Sequence, residues 1–163
     1  MPNDIIRPIT ADDDAKIAAI IRANFRAFHL DQPGTAYFDP ELDTLSRFYG
    51  AKPDQRAYLI AADENGTVLG GVGFAEFTAF EDCAEIQKLY LSDDAKGHGL
   101  GKRLLASAED AARAMGYRRL YIETHSCLQV AILLYEKHGY RQIEKPSCVR
   151  HCAMDRFFMK DLD

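Results

Sequence analysis

Apolar and polar positions recur at two periods along this chain, and the changes between them divide it into elements. Residues 4–10, "DIIRPIT", read as a short first strand. Ile17, Ile20, Ile21, Phe25 and Phe28 then recur at helical spacing and predict a helix to about His29. Thr10 with Asp13 three residues on resembles a capping box, and Asp12 and Asp14 also favour a helix start. "DQPGTAYFDP", residues 31–40, is a loop, and Leu42, Leu45, Phe48 and Tyr49 predict a shorter helix after Pro40. "AYLIAAD" and "TVLGGVGFAEF" are strand-like runs joined by "ENG", a hairpin signal. Gly70, Gly71 and Gly73 point to a bulge or a close approach in the third strand.

"CAEIQKLYLS" places Ile86, Leu89 and Leu91 in a fourth strand. Leu100, Leu104, Leu105, Ala108, Ala111, Ala112 and Met115 share one face of a helix that stops at Gly116. "RRLYIETH" is a fifth strand and "CLQVAILLYEKHG" a helix ended by Gly139. Two more strands are expected, near Tyr140 to Ile143 and near Ala153 to Met159. The class is mixed α/β, and the strand–loop–helix–strand unit over 84–124 predicts a parallel pair.

Composition narrows the function classes. The chain has 163 residues, 47% hydrophobic and 28% charged, the balance of a soluble globular domain. It has no apolar run of membrane-spanning length and no signal-peptide core, so a cytoplasmic protein is expected, with no membrane partner. A net charge of −5 argues against a nucleic-acid partner. Cys83, Cys127, Cys148 and Cys152 form no secreted disulfide framework, and most are expected to be small buried hydrophobes. "CVRHC" offers Cys148, His151 and Cys152 as metal ligands, but the spacing is unusual and no second pair completes a set. Strand residues are the preferred reading there, and no metal is expected.

"DDAKGHGLGKR" carries the strongest candidate chemistry. Its glycines match neither the phosphate loop of nucleoside-triphosphate enzymes, G-x-x-x-x-G-K-S/T, nor the dinucleotide fingerprint G-x-G-x-x-G. A flexible strand-to-helix turn is one reading. An anion site is the other: glycines admit a phosphate to backbone N–H groups, and the following helix adds its positive end. Lys96, Lys102 and Arg103 add charge.

The segment "EIQKLYLSDDAKGHGLGKRLL" resembles the acetyl-CoA-binding motif of the Gcn5-related N-acetyltransferases (GNAT), with core Q/R-x-x-G-x-G/A. Here the core is Lys96, Gly97, His98, Gly99, Leu100 and Gly101, lysine standing where Gln or Arg is usual. "AILLYEKHGY", residues 131–140, resembles the family's A-I-x-L-Y-E-K-x-G-F/Y segment. Many members have Asn three residues before its alanine; Leu128 stands there, beside Gln129.

The resemblance implies one N-acetyltransferase domain over 1–163, with a mostly antiparallel sheet of about seven strands and about four helices. Acetyl-CoA would lie where the parallel fourth and fifth strands splay apart. Its pyrophosphate would rest on the backbone from Gly97 to Lys102, and its pantetheine arm would pair with Leu89, Tyr90 and Leu91. Leu128 and Ala131 would flank that arm. Tyr135 would protonate the departing thiolate, since a phenol of ordinary pKa near 10 is protonated at neutral pH. Glu85 resembles the glutamate that takes the amine's proton in some members, with Glu123 and His125 as further candidates. Residues 31–38 fall where the family's acceptor loop lies, so Tyr37 and Phe38 are candidate pocket walls. Cys127 beside His125 is a weaker thiol–imidazole candidate, more simply a buried structural cysteine. The implied reaction is direct acetyl transfer to a primary amine of a small molecule. A non-catalytic CoA-binding regulatory module and a protein or peptide N-acetyltransferase are the alternatives. Members are often homodimers.

Overall fold

The computed structural model describes residues 3–163. Among these residues seven strands form one sheet in the order β1-β2-β3-β4-β5-β7-β6. They are β1 (Ile5–Pro8), β2 (Ala57–Ala62), β3 (Val68–Glu76), β4 (Cys83–Leu91), β5 (Arg119–Thr124), β6 (Arg141–Ile143) and β7 (Arg156–Asp161). Only β4 and β5 run parallel; every other neighbour is antiparallel. The parallel pairing is short. Cys83, Ala84 and Glu85 align with Arg119, Leu120 and Tyr121, and beyond Glu85 the two strands have no paired residues. From Ile86 onward β4 therefore has an edge with no strand partner.

Helices α1 (Asp14–Ala27) and α2 (Leu45–Gly50) cover one face, while α3 (Leu100–Ala114) and α4 (Gln129–Lys137) cover the other. The apolar stripe of α3 buries Leu100, Leu104, Leu105, Ala108 and Ala112 against Phe74, Ile86 and Ile122. Ile17, Ile21 and Phe25 of α1 pack with Leu42, Leu45, Tyr49 and Tyr58. A third cluster extends that face, with Cys83, Tyr121, Phe157 and Met159 beneath Phe77, Val149 and Met154. At the entry to α1, Asp13 accepts from the Thr10 backbone N–H (2.8 Å) and hydroxyl (3.1 Å). Arg7 also grips it with two bonds of 2.7 and 2.9 Å. Among the described residues, no helix is long and apolar enough to cross a membrane.

The glycines of β3 serve close approach, and β3 itself bulges at Leu69, which is extra between the pairs Ala61–Gly70 and Ala62–Val68. A second bulge has its extra residue on β4. Gly71 faces Tyr90 but Gly73 faces Gln87, so Lys88 and Leu89 oppose the single residue Val72. Lys88 adopts φ +52°, rare for a non-glycine residue. The Tyr58 hydroxyl donates to its carbonyl at 2.8 Å and holds the kink. A Cβ on Gly73 would lie 2.6 Å from the Tyr58 ring and 2.7 Å from that of Tyr49, both buried. Gly73→Ala is expected to cost about 1–3 kcal/mol by overpacking, read as a lower urea midpoint at unchanged slope.

Candidate active site

The glycine loop ends at the N-terminus of α3. Gly97 and Gly99 have φ +81° and +78°, and a Cβ at either would meet nothing within 4 Å, so the space before the loop is open. Gly99 caps the helix in the left-handed region. The first bond running into the helix is Arg103 N–H to the Gly99 carbonyl (3.2 Å). The N–H groups of Leu100, Gly101 and Lys102 precede it and are available to an anion. Of the three loop cations, Lys96 pairs with Asp93 at 2.7 Å. Arg103 bonds the Asp4 carbonyl at 2.9 Å. Lys102 and His98 are exposed, and Lys102 makes no ion pair among the described residues. What the loop offers an anion is mainly backbone N–H, and Lys102 is its uncommitted cation among the described residues.

Leu89, Tyr90 and Leu91 form the end of the β4 edge that β5 leaves unpaired, and the Leu91 carbonyl also accepts from Asn24 of α1 at 2.8 Å. Across the gap, Leu128 caps α4 and packs against the α1-side cluster, whereas Ala131 packs against the α3-side cluster. Tyr135 is 6% exposed, its ring packed against Tyr140 and Phe158. Among the described residues its hydroxyl has no protein partner and no fully buried side-chain polar atom is left unbonded, so that oxygen is not wholly closed off. Burial pushes the phenol up to about 12.

Beneath Tyr90, on the α1 side of the splay, lies a cavity of about 60 Å³. Phe25, Ala36, Tyr90 and Met154 give it apolar walls, while Glu85, Glu123, Lys88 and His151 supply charge. Glu85 is buried; one of its oxygens accepts from Gln87 (2.6 Å), which in turn accepts from Tyr49 (2.7 Å). Its other oxygen has no protein bond and opens on the cavity. Burial, and next the charge of Glu123, raise Glu85 to about 7. This is the range of a proton carrier at neutral pH.

Around the cavity runs a chain of buried charges. Lys88, its side chain 3% exposed, bonds Asp39 at 2.7 Å. The other Asp39 oxygen lies 2.8 Å from His151 Nε2, and His151 Nδ1 lies 2.9 Å from Glu123. Tyr121 donates to the second Glu123 oxygen at 3.1 Å. Burial alone would raise the Asp39 carboxyl, but the His151 bond and the Lys88 charge hold it at about 2. Burial alone would lower the imidazole, but its bonds to Asp39 and Glu123 lift it to about 9.

Glu85, Glu123 and Tyr90 of the expected residues thus meet at one cavity, whereas Tyr135 does not line it. His125 does not line it; its Nδ1 accepts the Cys127 backbone N–H at 3.1 Å. Tyr37 and Phe38 do not line it either: Phe38 is 59% exposed and Tyr37 packs edge-on against Phe25. The cysteine expectation is corrected, since Cys83 is buried but Cys127, Cys148 and Cys152 are exposed. Cys127 is therefore not a buried structural cysteine. Its thiol is raised by partial desolvation, opposite to an activated nucleophile. The "CVRHC" stretch is loop rather than strand, and β7 begins at Arg156. Asp39, Lys88 and the bridging role of His151 were not found in the sequence.

The sequence and the fold have relatives of known class. Residues 17–140 match the family described as the acetyltransferase (GNAT) family. YjgM of Escherichia coli K12, named an uncharacterized N-acetyltransferase, is 34% identical over 97% of this chain and 95% of its own. A GNAT-family acetyltransferase from Staphylococcus aureus Mu50 shares the fold with a TM-score of 0.86 and 14% identity, over 98% of this chain and 99% of that one. So does yncA of Salmonella typhimurium, solved with its cofactor acetyl-CoA, with a TM-score of 0.75 and 24% identity over 99% and 95%. The chain belongs to the GNAT family of acetyltransferases.

Proposed function

We propose that this protein is a single-domain N-acetyltransferase that moves the acetyl group of acetyl-CoA to a primary amine of a small molecule. The observation that carries the reading is Glu85, a buried carboxyl with one oxygen open to a small cavity where β4 parts from β5. The open glycine cradle and the unpaired β4 edge fit acetyl-CoA in the family's manner. Backbone N–H groups from Gly97 to Lys102 would hold the pyrophosphate, with His98 and Lys102 alongside. Leu89, Tyr90 and Leu91 would hold the pantetheine arm, flanked by Leu128 and Ala131. Lys96, tied to Asp93, is a weaker contact than its motif position implies.

The thioester supplies the acetyl group. An amine of pKa near 10.4 arrives as ammonium, and the facing carboxylates Glu85 and Glu123 favour that form. Ionised Glu85 takes a proton from the nitrogen. The nitrogen then bonds the acetyl carbon, the carbon–sulfur bond breaks, and sulfur leaves with the electron pair. The second proton leaves the nitrogen as the amide forms and ends on sulfur, giving the free thiol. Tyr135 meets the charge growing on sulfur. Full transfer from a phenol at about 12 to an ordinary thiolate, pKa about 8.5, would be uphill. Donating a hydrogen bond as charge develops is not, and the same burial that raises the phenol raises the thiol.

Gly99→Glu tests the cradle. It places a side chain in the left-handed region and a negative charge before the helix end. Calorimetry should show acetyl-CoA binding weakened about tenfold or more; wild-type affinity would mean that the loop does not hold the pyrophosphate.

A further inference from the structure

The segment between β6 and β7 is held down by charge on both sides of the cavity. Its Arg150 reaches Glu41 at 2.8 Å, and its Ala153 N–H reaches the Gly34 carbonyl at 3.0 Å. Asp155 accepts from the Ser126 N–H and hydroxyl, both at 2.7 Å. Between these anchors His151 bridges the 31–40 loop to β5 through Asp39 and Glu123. Each imidazole nitrogen faces a carboxylate oxygen. A neutral imidazole carries one N–H and could satisfy only one of them, so the geometry calls for the imidazolium with both nitrogens donating.

We propose that His151 is a positioning residue, whose imidazolium bridge between Asp39 and Glu123 fixes the Glu123 carboxylate and sets the proton affinity of Glu85. This rests on reading Glu85 as the base. Glu85 and Glu123 face one cavity, and the Glu123 charge disfavours ionisation of buried Glu85 unless that charge is compensated. Gln87 favours the ionised form of Glu85 through a direct hydrogen bond, and the charged neighbours other than His151 do less. Lys88, from the same strand as Glu85, is bound to Asp39, and Arg150 is held by Glu41. Tyr121 gives Glu123 a neutral hydrogen bond. Tyr49 touches Gln87 rather than Glu85, and Tyr49 and Tyr90 are phenols pushed up by burial, hence uncharged. Burial and the Glu123 charge raise the proton affinity of Glu85, and the Gln87 hydrogen bond, then the His151 charge and then that of Lys88 lower it.

The test reads ionisation directly and needs no acceptor. In protein labelled with carbon-13 at the glutamate carboxyls, the signal missing from Glu85→Gln reports Glu85 across pH 5 to 9. His151→Gln should move its midpoint upward by about one pH unit, a tenfold gain in proton affinity. His151→Lys, which restores a cation, should recover part of that shift. An unmoved midpoint in a folded His151→Gln protein would overturn the proposal. Should His151→Gln fail to fold, nitrogen-15 spectra of the wild-type histidines decide. The signal that survives single substitution of His29, His98, His125 and His138 is His151, and it should stay cationic through pH 8. A midpoint near 6.5 would overturn the proposal. Neither readout depends on turnover, so a failure of Glu85 as the base would appear separately, in the activity of Glu85→Gln.

Discussion

Glu85→Gln should lower amine-dependent thiol release from acetyl-CoA by about 10²- to 10⁴-fold while leaving acetyl-CoA affinity nearly unchanged. Gln keeps the shape of the side chain and a partner for Gln87, so the Tyr49–Gln87–Glu85 chain can persist. What is lost is the ability to accept a proton. The pH profile carries the sign. A base must be ionised to act, so wild-type kcat/KM should rise with pH through a midpoint near 7. An unperturbed glutamate would already be ionised by about pH 5. In Glu85→Gln that rise should vanish. A full-rate Glu85→Gln enzyme with the same pH dependence would remove Glu85 from the chemistry.

Tyr135→Phe should lower kcat by about 10²-fold, with acetyl-CoA affinity and thermal stability little changed. The ring supplies packing to Tyr140 and Phe158, and Phe retains it. The hydroxyl has no protein partner, so its removal leaves no buried group unpaired. The expected loss falls on the step in which sulfur departs. Titrating rate against leaving groups separates this from a binding effect: thioesters of more acidic thiols should be affected less. An unchanged kcat would show that water, not Tyr135, meets the leaving sulfur.

Local patterns made much of the fold legible. The α3 face, the "ENG" hairpin and Gly116 and Gly139, with φ +96° and +85°, are features of neighbouring residues. They fall where the spacing of apolar positions puts them. The glycine loop before α3 was legible for the same reason, since its left-handed turns fall on Gly97 and Gly99. What the sequence hid depends on distance along the chain. Asp39 and His151 are 112 residues apart, and Asp39 and Lys88 are 49 apart, so no period or motif joins them. Lys88 concealed the β4 bulge, because glycine is the residue that most plainly signals a turn at positive φ and none stands there. The exposed cysteines have a similar origin. Cys148 and Cys152 lie in a stretch shaped by the anchors at Arg150, His151 and Asp155, not by an alternating apolar face.

Amine acetylation driven from the β4/β5 gap is tested most directly by thiol release from acetyl-CoA, measured between pH 5.5 and 9 with and without a panel of small primary amines. The structure predicts release that requires an amine, rises through about pH 7 and is lost in Glu85→Gln. Acetyl-CoA binding with no amine-dependent release, by small molecules or peptides, would contradict it and mark the protein as a CoA-binding module instead.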